Sequence, residues 1–144
     1  MKYIKKFKLN ESGEWSSGVD WQYVKNNPED DSEECVWIKY LANELAIIID
    51  DLGDPSILEI LDIKGHDLYI GPYARVKIFG KNYKVWSSDS VGNDLIIENF
   101  PITNNDEYSN PGYTGDKWEI SNLLKDIAEC GDIELYKISK KYNI

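Results

Sequence analysis

Between Trp37 and Leu52 the apolar side chains recur every third or fourth residue: Trp37, Leu41, Leu45, Ile48 and Leu52, with Tyr40 beside them. That spacing puts them on one face of a helix. Upstream, 26–34 reads Asn-Asn-Pro-Glu-Asp-Asp-Ser-Glu-Glu. It offers cap-forming side chains, a proline, and carboxylates suited to the positive end of a helix dipole. Gly53 supplies a natural stop. The pattern predicts a helix over about 32–52; two β-prone patches, 36–38 and 47–49, leave a pair of strands as the alternative. A second helical stripe, Ile120, Leu123, Leu124 and Ile127, predicts a helix over 117–130, closed by Gly131.

The remainder reads mostly as strand. Residues 1–9 alternate with period two, and Trp15, Val19, Trp21 and Tyr23 suggest a second strand with a bulge near 16–18. Segment 57–63 reads as a strand or a short helix, and 68–70, 75–79, 83–86 and 94–100 are short and β-rich, with a hairpin signal at Phe79-Gly80-Lys81-Asn82-Tyr83. Residues 101–116 read as a long loop, and 133–138 alternate like a last strand. The expectation is one α+β domain spanning 1–144, a mainly antiparallel sheet with two principal helices. A chain of 144 residues can bury such a core without metals or disulfides.

Charge then narrows the function. The 16 basic and 26 acidic residues give a net charge of −10. Nucleic acid is a poor fit to that balance, because phosphate binding needs clustered Lys and Arg. The charge is also blocked along the chain: residues 28–67 hold twelve acids and two lysines, whereas 68–86 hold Arg75, Lys77, Lys81 and Lys84 and no acid. No apolar run approaches the roughly 20 residues of a membrane span, and no signal-like apolar segment follows the first lysines. Cys35 and Cys130 stand apart without a C-x-x-C. The expected setting is the cytoplasm, with both thiols reduced.

The residues for catalysis are sparse. His66 is the single imidazole and sits in a turn-like Lys64-Gly65-His66-Asp67, so a surface turn is the simplest reading. No serine lies in a G-x-S-x-G elbow, and no glycine cluster is followed by the Lys-Ser/Thr of a phosphate loop. Asp50-Asp51-Leu52-Gly53-Asp54 puts Leu52 where a calcium loop needs oxygen. No metal, no cofactor and no enzymatic activity are expected. What remains is an acidic exterior. Opposite potentials steer association with a basic protein, and aromatic side chains anchor interfaces. The candidate contact residues are Asp30, Asp31, Glu33 and Glu34 at the first helix, Asp50, Asp51 and Asp54 at its end, and Asp106, Glu107 and Tyr108 in the 101–116 loop. Trp15, Trp21, Trp37 and Trp118 fall on apolar stripes and are assigned to the core.

Small size, strong acidity, absent catalytic motifs and an A/T-biased composition (15 Lys to one Arg, 18 Ile, 12 Asn, only 4 Ala) together resemble the bacterial immunity proteins, inhibitors of contact-dependent, polymorphic or colicin-type toxins. The resemblance is to the class. It implies tight, non-covalent neutralisation of a cognate toxin domain, and the charge suits a basic nuclease. The alternative from the residues alone is a non-catalytic adaptor that binds a host protein or peptide.

Overall fold

A computed structural model describes residues 7–9, 15–17, 19–65, 71–87, 94–104 and 112–142 of the chain. A short antiparallel hairpin comes first, β1 (Phe7–Leu9) with β2 (Trp15–Ser17). Helices α1 (Trp21–Asn26) and α2 (Glu33–Leu52) follow. Five strands then form an antiparallel meander in chain order: β3 (Leu58–Lys64), β4 (Tyr73–Ile78), β5 (Lys81–Ser87), β6 (Leu95–Glu98) and β7 (Gly112–Gly115). Helices α3 (Lys117–Cys130) and α4 (Ile133–Tyr142) complete the chain. The fold is α+β.

Strand β4 alternates as a sheet covered on one face by helices should, whereas Val85, Trp86 and Ser87 of β5 and Leu95, Ile96 and Ile97 of β6 are buried in succession. Along β4, Ala74, Val76 and Ile78 are buried while Arg75 and Lys77 are exposed. The inward row meets Ile38, Leu41, Leu45 and Ile48 of α2 and Ile120, Leu124 and Ile127 of α3, all in one core. A fully buried aliphatic side chain contributes roughly 1.5–3 kcal/mol, so α2 and α3 carry much of the stability.

Several local details have plain causes. The β4–β5 turn is tighter than the sequence suggests: Ile78 pairs with Lys81, and Phe79 and Gly80 alone make the turn, both at positive φ (48° and 82°). That is the signature of a type I′ hairpin. A register shift between Ile60 and Asp62 leaves Leu61 bulged out of β3. Gly112 is required where β7 meets β6, because a Cβ there would collide with the Ile97 carbonyl.

Four expectations are corrected. Residues 21–23 are helical, because the Asp20 carboxylate accepts the Tyr23 N–H (2.8 Å) and caps α1. Only Val24 of that helix is buried; the aromatic alternation imitated a strand. Residues 112–115 pair with β6 and are the sheet's edge strand, inside what reads as loop. Residues 133–138 belong to α4. Gly131 ends α3 at φ 103°, and the Asp132 carboxylate accepts the Leu135 N–H (2.7 Å), starting a new helix. Finally, the buried stripe of α2 is Cys35, Ile38, Leu41, Leu45 and Ile48, so Trp37 stands one position outside it. The 68–70 strand and His66 lie outside the described residues.

Candidate functional site

The ten candidate contact residues separate into distinct groups. Asp30 turns inward. It is only 8% exposed, and its carboxylate accepts the Tyr23 hydroxyl (2.7 Å) and the Ser32 N–H (3.1 Å). The Lys39 ammonium donates to the carbonyls of Pro28 (2.8 Å) and Asp30 (3.1 Å), fastening the α1–α2 connection further. Asp30 thus holds the entry to α2. Glu34 is half-buried, with its Oε2 shielded from solvent and without a hydrogen-bond partner among the described residues.

At the other end of α2, Asp51 clasps α3. It accepts from Ser121 Oγ (2.6 Å) and pairs with Lys125 Nζ (2.9 Å). The Ser121 hydrogen bond, then Lys125, holds its carboxyl below the usual range. Asp54 shapes the turn into β3 by accepting from the Ser56 N–H and hydroxyl, which depress its pKa in the same way. Asp106, Glu107 and Tyr108 lie outside the described residues.

Asp51 and Asp54 nonetheless stay exposed, as do Asp31, Glu33 and Asp50. At 1.5 Å per residue, Glu33 and Asp50 stand about 26 Å apart along the helix. They bracket a surface; they do not form one cluster.

The surface between them is what the sequence reading missed. Glu33, Val36, Tyr40, Asn43, Ile47 and Asp50 follow one another at spacings of three and four, so they share the outward face of α2. Val36 is 42% exposed. Beside it, Trp37 and Tyr40 form an edge-to-face aromatic pair with ring centres 6.1 Å apart. The Lys117–Glu44 ion pair (3.2 Å) sets the first turn of α3 against the middle of α2. That turn carries Trp118, which is 50% exposed, a correction to its assignment to the core. The outer helical face thus has an aromatic and aliphatic centre with carboxylates at its ends. The signal was present in the sequence: α2 has more apolar residues than one buried stripe can use.

The outward sheet face carries both signs: Arg75 stands in register with Asp62, Lys77 with Glu59 and Lys84 with Glu98. Arg75 and Lys84 stand directly across from each other on β4 and β5, within a concavity that also includes Asn82, Glu98 and Asn99. Lys84 lies over the Tyr73 ring, 4.9 Å from its centre.

No group of three or more His, Cys, Asp or Glu side chains converges on a possible metal position among the described residues. No helix among them is long and apolar enough to cross a membrane. No family model, curated protein or solved structure matches the chain.

Proposed function

We propose that this protein is a non-catalytic inhibitor that neutralises a basic protein, a bacterial toxin domain of nuclease character, through the outer face of α2 and the first turn of α3. It acts in the cytoplasm, as part of the same reading. One observation supports the proposal: Val36 and Trp118 are exposed and the Trp37–Tyr40 pair half-exposed on helices that the Lys117–Glu44 ion pair joins, with Glu33 and Asp31 at one end of α2 and Asp50 at the other. Apolar, aromatic centres supply most of the energy of protein interfaces, and a charged rim supplies encounter rate and partner choice. Of the five carboxylates of α2, Glu44 and Asp51 are engaged by α3 lysines, and exposed Glu33 and Asp50, with Asp31 before the helix, give the face a sign that suits a cleft built to hold phosphate. Asp30, Asp51 and Asp54 support this face from beneath or beside it by fixing the ends of α2.

The test is titration of the purified chain against the C-terminal domain of a toxin encoded beside its gene, read as nuclease activity. Stoichiometric loss of activity is expected. Trp118→Ala should weaken binding by about 2 kcal/mol, some thirtyfold, as an interface anchor does. Asp50→Asn should mainly slow association, by a few-fold, and added salt should mask the difference. A toxin that stays active in excess of this protein ends the reading. Binding without inhibition transfers it to the adaptor class.

A further inference from the structure

Helix α4 is attached to the molecule by Tyr136 and Ile133, which pack toward the core, while much of its apolar surface stays open. Leu135 (51% exposed), Ile138 (49%) and Tyr142 (63%) fall at i, i+3 and i+7 on one face. They are half of the six large exposed hydrophobic side chains among the described residues. Of the three, Ile138 lines a trough of about 440 Å³ between α4 and the turn after β6, with Pro101 and Ile102 on one wall and Tyr136 and Ile138 on the other. Its walls are predominantly apolar. A second hollow of about 480 Å³ shares Pro101 and Glu134 with it and extends the trough past Ile133 to Phe79 and Lys81.

The rim is basic on a molecule of net charge −10. Lys137, Lys140 and Lys141 edge the first hollow and Lys81 the second, against Asp132 and Glu134. Asp132 is already engaged as the cap of α4. Lys117 and Lys125 of α3 each close an ion pair with α2; among the described residues, no carboxylate pairs with Lys137, Lys140 or Lys141. Instead, Lys140 lies 5.4 Å from the ring centre of Tyr136, and Lys141 lies 5.5 Å from that of Tyr142. The helix dipole accounts for cations in the last turn of α4. It does not account for Lys137, nor for the open apolar stripe.

We propose that the trough along α4 is a docking site for an acidic peptide segment of a partner protein, with apolar side chains seated against Ile102 and Ile138 and carboxylates meeting the lysine rim. Charge complementarity selects the acid, and the concave walls favour a narrow segment over a flat bilayer. This site is separate from the α2 face and of opposite sign, so it does not depend on the toxin-binding reading.

The experiment selects a displayed library of short random-sequence peptides on the full chain, then measures the winners by fluorescence polarisation. The expected winners combine Asp or Glu with Leu, Ile or Phe. Ile138→Ser should weaken them about tenfold, Lys137→Gln/Lys140→Gln/Lys141→Gln should weaken them at least as much, and Val36→Ser on α2 should leave them unchanged. These α4 positions are exposed, and a thermal melt checks that each variant stays folded. Winners without acids, or winners indifferent to both α4 variants, overturn the proposal. So does binding of the chain to phosphatidylserine vesicles in place of any α4-dependent peptide, which would make the stripe a membrane contact. Mass growth in light scattering that both the α4 variants and Val36→Ser abolish would also overturn it, by making the occupant the α2 face of a second copy.

Discussion

Helices α3 and α4 are neighbours in sequence, both amphipathic and both lysine-bearing, yet the molecule uses them differently. α3 buries Ile120, Leu123, Leu124 and Ile127, and its lysines are ion-paired to α2. α4 buries Tyr136 alone and leaves its lysines and three large apolar side chains at the surface. Composition does not separate the two. What separates them is their neighbours: α3 lies beside α2 and packs against β7, whereas α4 is set against α3. One helix is framework, and the other is available for contact.

The largest expected effect should break or confirm that contrast directly. Leu124 is fully buried, so Leu124→Ala should cost about 2–5 kcal/mol in urea unfolding. Leu135→Ala should stay within about 0.5 kcal/mol, as surface substitutions do. Equal losses would mean that α4 is as structural as α3.

The helix starts give an intermediate test. Asp116 and Glu119 form a reciprocal capping box at α3, with the Glu119 N–H to Asp116 carboxylate bond at 2.8 Å. Asp116→Ala should lower global stability by about 1 kcal/mol, seen as a shifted denaturation midpoint at unchanged slope. Asp132→Ala removes the comparable bond from α4. Its expected mark is faster amide exchange confined to α4, with little movement of the midpoint.

The smallest effect concerns the α2–α3 clasp and its dependence on pH. The Asp51 pKa is lowered in the folded protein by Ser121 and Lys125. Its contribution is therefore complete above the ordinary carboxylate value and is lost as pH falls through the lower folded one. Asp51→Asn should be slightly less stable than the parent at neutral pH, and the gap should close in strong acid. A gap that persists unchanged in acid would show that charge at Asp51 plays no part in holding α3 to α2.

Much of this architecture could be read from the chain. The spacing of Leu41, Leu45 and Ile48, with Gly53 after them, favoured α2 over a pair of strands, and Ile120 to Ile127 pointed to α3, because a long periodic stripe leaves few ways to bury itself. The Phe79-Gly80-Lys81-Asn82-Tyr83 signal likewise pointed to a hairpin, whose two-residue turn at Phe79-Gly80 only the structure supplied. Short segments were less legible. Residues 133–138 alternate as a strand does, but six residues carry too little periodicity to decide, and a cap at Asp132 with α3 alongside made them helix. Residues 112–115 became a strand only because β6 offered a free edge. The acids show the same division. Sequence established that the second quarter of the chain is strongly negative. Only the tertiary structure decided that Asp30 bonds inward to Tyr23, that Asp51 holds α3, and that Glu33 and Asp50 bracket an aromatic surface. The reason is physical: periodicity is a local property of the chain, whereas a side chain's exposure and partners depend on elements distant in sequence.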